Sequence, residues 1–269
     1  MAKKFSVTRQ RGFNTIALFT FFCLYAPLLI LVILAFNAGL SSADWQGFST
    51  RWFWSAMENP QVVDASILSL QLALTAALIS TAVAIPAAIA MTRTARYKGW
   101  MFQYALISLP LMVPEIVTAV ALLIVVAAIK SWTGYIGLGY LIIAHTAFCI
   151  PFAYLPIRAR LETMDINLEA AASDLYARPF EAFLHITLPQ LLPGVLAGFM
   201  LAFVISLDDV VITEFVKSPG QDTLPTYMLG QLRRTVTPEI NAISAIFLLL
   251  SIMVVTVFFI LQSSGRRQQ

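Results

Sequence analysis

Charge is scarce in this chain. Of its 269 residues only 12% are Asp, Glu, Lys or Arg, 59% are hydrophobic, and the mean hydropathy is +0.81. No soluble domain of this size buries so much apolar surface, so a soluble fold is excluded and an all-α integral membrane protein is expected. Cysteine is scarcer still. Cys23 and Cys149 both sit inside apolar runs, which excludes a disulfide framework and points to inert buried thiols. The histidines are His145, expected as a hydrogen-bonded packing residue in a span, and His185, in a loop. Neither joins a cluster with metal-ligand spacing, and no nucleophile–base constellation appears, so neither a metal site nor a catalytic residue is expected. A phosphate-binding loop of the G-x-x-x-x-G-K-[ST] type is missing too. ATP is not bound here in that way, no cofactor is expected in this chain, and the energy must come from a partner. The formal net charge is only +3, with basic residues spread along apolar flanks and not gathered on one face. Nucleic acid is therefore not an expected partner; membrane lipid is. No linker or low-complexity stretch divides the chain, so one domain over residues 1–269 is expected.

Six apolar runs are long enough to cross a bilayer core, which takes about 20 helical residues. They lie at roughly 14–36, 66–91, 101–129, 139–155, 190–215 and 241–261. The fourth is the shortest and carries Pro151 and Pro156. The first is too long for a signal-peptide core and lacks a small-x-small cleavage site, so it reads as a retained helix. The basic residues set an orientation. With the N-terminus inside, Lys3, Lys4, Arg9, Arg11, Arg93, Arg96, Lys98, Arg158, Arg160, Arg178, Arg266 and Arg267 are cytoplasmic. Arg51, Lys130, Lys217, Arg233 and Arg234 are outside, twelve against five. Both termini are then cytoplasmic, and so is the segment of about 163–189.

That segment is the longest polar-rich stretch on the inner side. Glu169–Pro189 opens with helix formers, breaks at Arg178-Pro179, resumes and is expected to stop at Pro189. The pattern is helix, turn, helix. Ala171, Ala172 and Leu175 on one side suit insertion into a groove of another protein, and an ordinary solvated loop is the alternative. On the other side of the membrane, the first loop holds Trp45, Phe48, Trp52, Phe53 and Trp54. It reads as an interfacial aromatic belt or as a docking or cation-holding surface. The stretch of about 216–240 contains Pro219-Gly220, Pro225 and Pro238, the mark of a broken backbone that must be buried in protein or line water.

Acidic residues inside spans are costly and mark a pathway or site by default. Glu115 falls in the third run and Asp208 and Asp209 in the fifth. Counting at 1.5 Å per residue places Glu115 about 21 Å from the inner end and the aspartates about 27 Å, a similar depth. No basic residue in either run neutralises them. Protonation, water access or a cationic substrate accounts for them; so does capping of the outer end of the fifth helix by Asp208 and Asp209.

The polar segment resembles the "EAA" loop of ABC importer permeases. Ile186, Leu188 and Pro189 stand where that pattern wants them, and Ala171, Ala172, Asp174 and Leu175 fit its first half. Tyr176 holds the glycine position, and Ala170 the glutamate position, with Glu169 one residue early. Nearly the whole chain further resembles one subfamily, the second permease subunit of polyamine (spermidine/putrescine) importers. That similarity runs through Trp45-Gln46-Gly47-Phe48, His145-Thr146-Ala147-Phe148-Cys149, Ser206-Leu207-Asp208-Asp209-Val210-Val211 and Pro238-Glu239-Ile240-Asn241-Ala242.

The resemblance implies the type I importer permease fold, with six transmembrane helices and a cytoplasmic coupling-helix loop. It implies a bacterial inner-membrane location, a heterodimer with a second permease subunit, two ATPase subunits that bind ATP and magnesium, and an external substrate-binding protein. The chain itself would be no enzyme. Trp45, Glu115, Ser206, Asp208 and Asp209 would handle the polyamine. Glu169, Ala170, Ala171, Ala172, Asp174, Leu175, Tyr176, Ile186, Leu188 and Pro189 would couple to the ATPase. Glutamate at 115 stands where the family often has aspartate, so the solute can differ. A betaine, an opine or a sulfonium compound remains open as solute, and so does a stand-alone ion- or proton-coupled carrier.

Overall fold

The computed structural model describes residues 12–41, 44–94, 97–234 and 237–266. Lys3, Lys4, Arg9, Arg11, Arg96 and Arg267 of the orientation argument lie outside the described residues. The helices, in order, are α1 Phe13–Leu34, α2 Arg51–Glu58, α3 Pro60–Arg93, α4 Trp100–Met112, α5 Glu115–Thr133, α6 Gly139–Thr163, α7 Asn167–Asp174 and α8 Pro179–Ala182. A π-helical turn over Phe183–Thr187 leads into α9 Leu188–Asp208, followed by α10 Val211–Val216, α11 Leu224–Leu232 and α12 Pro238–Arg266. Among the described residues there is no sheet, only one isolated bridge between Asn37 and Phe48. Six stretches are apolar and long enough to cross a membrane: Phe13–Leu34, Pro60–Arg93, Glu115–Thr133, Gly139–Thr163, Pro179–Asp208 and Pro238–Ile260.

The helix boundaries differ from the sequence expectation in four places. The expected third span, 101–129, is two helices. Pro114 forces Val113 out of helical geometry (φ −89°, ψ 138°), and α5 starts afresh at Glu115. The fourth span does not end near 155. Instead α6 runs 25 residues through Pro151 and Pro156, as membrane helices with interior prolines can. Pro189 does not stop the coupling segment. It lies at the start of α9, directly after the π-helical turn, and Pro179–Asp208 is continuously helical. The fifth span ends at Asp208 and not at 215, with α10 as a separate short helix. At 34 residues α3 is about 51 Å long, well beyond the roughly 30 Å of hydrocarbon.

The described residues divide into two compact units. One holds the chain up to Pro60 with Gly230–Leu250. The other holds Gln61–Leu229 with the chain from Ser251 onward.

In the first unit, α1 buries none of its residues. The loop after it is built around Asn37, which is fully buried. The Asn37 Oδ1 accepts from Gly39 N–H (3.0 Å) and Gln46 N–H (2.9 Å), and Nδ2 donates to the carbonyls of Ser41 (3.0 Å) and Asp44 (2.8 Å). One side chain thus satisfies four backbone groups that no helix or sheet reaches.

In the second unit the core is α6 lying antiparallel against α9, with α10 packed on α5 and α6. The α6–α9 contacts step four residues at a time in opposite directions. His145 bonds Ser206, Cys149 Sγ donates to the Ala202 carbonyl, and Ala153 backs onto Gly198. Glycine sets that spacing. A methyl group at Gly198 would stand 2.5 Å from the Ala153 carbonyl oxygen, and one at Gly194 would stand 2.6 Å from Arg160 Cβ. Gly194 and Gly198 form the small-xxx-small pattern by which membrane helices approach closely. The broken stretch before α12 is also anchored. Leu224 N–H donates to Ser69 Oγ of α3 (2.7 Å), and Leu224, Pro225 and Thr226 are buried. This is the protein burial that irregular backbone at membrane depth requires.

Candidate functional site

Three helix ends in the second unit bring the acidic residues together. Glu115 is the first residue of α5, Asp208 is the last of α9, and Asp209 lies in the break before α10. The Glu115 side chain interacts with the Asp209 side chain and stands within electrostatic range of Asp208. The sequence count set these residues inside continuous spans; the structure sets them where spans begin and end. Helix N-termini carry free N–H groups and a positive partial charge, so α5 and α10 each offer a favourable field for a carboxylate.

Within this cluster the carboxylates differ in environment. Glu115 and Asp208 are exposed, while Asp209 is buried at 5% exposure. Asp209 Oδ1 accepts from Ile212 N–H (3.2 Å); its Oδ2 accepts from Thr213 N–H (2.9 Å) and the Thr213 hydroxyl (2.8 Å). It therefore caps the start of α10, and does not cap the end of the fifth span as the sequence allowed. His145, fully buried on α6, completes the knot. Its Nδ1 lies 2.9 Å from Ser206 Oγ, and its Nε2 lies 3.0 Å from Thr213 Oγ1 and 3.4 Å from Asp209 Oδ2. The Thr213 hydroxyl has a single proton and gives it to Asp209. Thr213 can then only accept from the ring, so Nε2 carries a hydrogen. In the neutral ring Nδ1 is an acceptor, and Ser206 donates to it. Sequence reasoning placed His145 in packing but missed Thr213; the spacing Asp209-x-x-x-Thr213 at a helix start was the available signal.

Trp45 belongs to the first unit. It is 53% exposed on the loop that Asn37 organises, beside the exposed Phe48, whose ring stacks on Phe36 at 5.1 Å. Trp52 donates its indole N–H to the Asn37 carbonyl (3.0 Å), and the Arg51 guanidinium lies 4.3 Å over its ring.

The coupling segment is α7, α8 and the π-turn. Glu169 points into the protein. Its Oε1 accepts from Arg93 Nε (3.2 Å) at the end of α3 and from the Thr187 hydroxyl (3.2 Å) in the π-turn. Ala172 is buried, while Ala170, Ala171, Asp174 and Leu175 face outward. Ile186 and Leu188 are half-buried and Pro189 is exposed. Tyr176 is the one non-glycine among the described residues with a positive φ, 61°. The Tyr176 N–H donates to the Ser173 carbonyl and the Ala177 N–H to the Ala172 carbonyl, both at 3.0 Å. That pair is the Schellman ending, which wants glycine at this position. The aromatic ring that replaces it is 96% exposed, next to Leu175 at 82%.

Beyond α10, Lys217 Nζ pairs with Glu214 (2.5 Å) and Asp222 (2.7 Å). Burial pulls the Lys217 pKa down, but the bonds to Asp222 and Glu214 outweigh it and hold the ammonium above its ordinary range.

Residues 84–264 match the family described as binding-protein-dependent transport system inner membrane component. The chain is 36% identical over 245 residues to the putrescine transport system permease protein PotI of Escherichia coli (strain K12), covering 90% of this chain and 87% of that one. It is 34% identical over 232 residues to the spermidine/putrescine transport system permease protein PotC of the same organism, covering 86% of each. Among solved structures it is similar in fold to a bacterial ABC transporter involved in import of the acidic polysaccharide alginate. There the TM-score is 0.71 at 19% identity, over 95% of this chain and 93% of that one. The MetNI methionine ABC transporter gives a TM-score of 0.64 at 15% identity, over 76% and 95%. With two thirds of its length matched and relatives above 30% identity across most of both chains, this multi-pass membrane protein belongs to the binding-protein-dependent transport system inner membrane component family.

Proposed function

We propose that this chain is one permease subunit of an ATP-driven importer and forms half of the pathway for a small organic cation, a polyamine of the putrescine/spermidine class. One observation carries the reading. Glu115 and Asp208 are exposed beside buried Asp209, and among the described residues neither Glu115 nor Asp208 has a Lys or Arg ion-pair partner. A cationic solute supplies the missing charge. The names of the relatives support the same class.

In this reading Glu115 and Asp208 meet the passing ammonium groups, Asp209 adds a fixed negative charge behind them, and Ser206 helps hold Asp209's neighbours in place. Trp45 offers a ring face to a cation. The attraction must stay shallow, because a deep well would stall release. Partner subunits are a second permease, two ATPases that bind ATP with magnesium, and an external binding protein. Both termini and α7–α8 face the cytoplasm of a bacterial cell, in its inner membrane. The outward residues Ala170, Ala171, Asp174, Leu175 and Tyr176 meet the ATPase; Glu169, Ala172, Ile186, Leu188 and Pro189 join the segment to α3 and α9. Motion of the ATPases then tilts these helices and alternates access to the pathway.

The test is uptake of putrescine by the assembled transporter in proteoliposomes. Asp208→Asn and Glu115→Gln each keep size and remove charge. Each is expected to lower uptake about tenfold or more, the effect of losing roughly 1.4 kcal/mol of stabilisation for the passing cation. Full uptake by both variants would sink the proposal.

A further inference from the structure

We propose that His145 is a positioning residue for transport: through Thr213 and Asp209 it fixes the helix break that ends α9 at Asp208. The inference rests on the cation-pathway reading above and assigns it a residue that touches no solute.

The argument starts from the break. At Asp209 the backbone leaves helical geometry (φ −65°, ψ 131°), and α10 begins two residues later. Left to itself, an apolar sequence such as Val-Val-Ile-Thr following α9 would extend the helix, since every backbone group would then be paired. Consecutive residues of a continuous helix point about 100° apart, so closing the break would turn Asp209 out of its cap and carry the helix on past Asp208. What holds it open is the Asp209 side chain, which takes the N–H groups of Ile212 and Thr213 that the break exposes.

That cap needs its own support, because a buried carboxylate without donors is costly. The Thr213 hydroxyl supplies one donor, and His145 Nε2–H stands behind both at 3.0 and 3.4 Å. The ring is held from its other side by Ser206, in the last turn of α9. His145 thus links α6, α9 and α10 across 61 and 68 residues of sequence, and all four side chains are buried. Asp209 is buried with both oxygens occupied, so the exposed Asp208 and Glu115 are the carboxyl groups that can meet a solute. The knot decides where α9 ends, and so leaves Asp208 at that end.

The experiment uses the assembled transporter in proteoliposomes, with putrescine as the probe and nucleotide hydrolysis measured in parallel. Thr213→Val keeps the shape of the side chain and removes the relay hydroxyl. It is expected to raise KM for putrescine about tenfold, 1.4 kcal/mol, with hydrolysis by the complex retained. Thr213→Ser restores the hydroxyl and is expected to bring KM back. His145→Gln and His145→Leu are expected to raise KM in the same direction. A purely structural role would lower the yield of assembled transporter and the maximal rate and leave KM alone. Should His145→Leu fail to assemble, Thr213→Val decides. Wild-type KM in Thr213→Val while Asp208→Asn loses uptake overturns this inference alone. Full uptake by both Asp208→Asn and Glu115→Gln overturns the pathway reading and this inference with it.

Discussion

Replacing Gly198 with alanine adds one methyl group where α9 lies against α6, and the structure sets the size of the penalty. The new Cβ would stand 2.5 Å from the Ala153 carbonyl oxygen, 3.2 Å from its carbon and 3.2 Å from Ile157 Cγ1. Ordinary contact begins at 3.4 Å, so the helices must part by about 0.9 Å along that line. The obstacle is backbone, held in α6 on both sides, and cannot swing away as a side-chain tip would. A gap of that size forfeits between a quarter and a half of the dispersion attraction for atoms that face each other across it. It would also strain the His145–Ser206 and Cys149–Ala202 contacts further along the same seam. Overpacking of this kind costs about 2–3 kcal/mol. The assay is unfolding of the purified protein in micelles with increasing SDS, followed by tryptophan fluorescence. Gly230→Ala is the control. Gly230 is exposed in α11 with nothing within 4 Å of a new Cβ, so alanine there should stabilise by about 0.5–1 kcal/mol. If Gly198→Ala unfolds at the wild-type midpoint, the close approach of α6 and α9 through glycine is refuted.

Other outcomes follow from the same contacts. Arg93→Gln removes the guanidinium that holds Glu169; the segment 167–187 should then exchange its amides several-fold faster. Loss of one partly exposed ion pair corresponds to about 1 kcal/mol, and unchanged exchange would show that α7 is held by other contacts. Tyr176→Gly relieves a left-handed tyrosine at a cost in unfolded-state freedom. A net gain of about 0.5–1 kcal/mol is expected, seen as slower exchange of the Ala177 N–H; faster exchange would contradict it. Lys217→Met should lower stability by about 1 kcal/mol at neutral pH. The folded pKa of Lys217 is raised, so its contribution is complete below the unfolded value near 10.4 and fades as pH climbs through the higher folded value. Melting curves of the two proteins should therefore converge only in strong alkali, and a gap that vanishes near pH 7 would exclude the ion pairs as its cause.

Much of the molecule was legible in the sequence. Hydropathy alone marks helices over most of the six spans, because each residue's transfer into lipid adds to its neighbours' almost independently. Proline was legible only in part. Pro114 breaks its helix, while Pro151, Pro156 and Pro189 do not; spanning helices tolerate some prolines, and the residue type alone does not say which. The Gly194–Gly198 spacing names no partner helix until α6 is seen against it. The coupling segment shows the same division. Its helix–turn–helix outline is local, but the inward turn of Glu169 depends on Arg93, 76 residues away.

The sequence by itself determined that this chain lives in a membrane, that it is helical throughout, and that Glu115, Asp208 and Asp209 fall inside apolar runs. Each of these is a sum over neighbouring residues. Only the tertiary structure decided which acids are free. Asp208 and Asp209 are adjacent and chemically identical, and the cap that Asp209 makes on Ile212 and Thr213 is only the local part of their difference. The rest is His145, held by Ser206, standing behind Asp209 and leaving Asp208 outside. A buried charge is tolerated only where donors from distant segments converge on it.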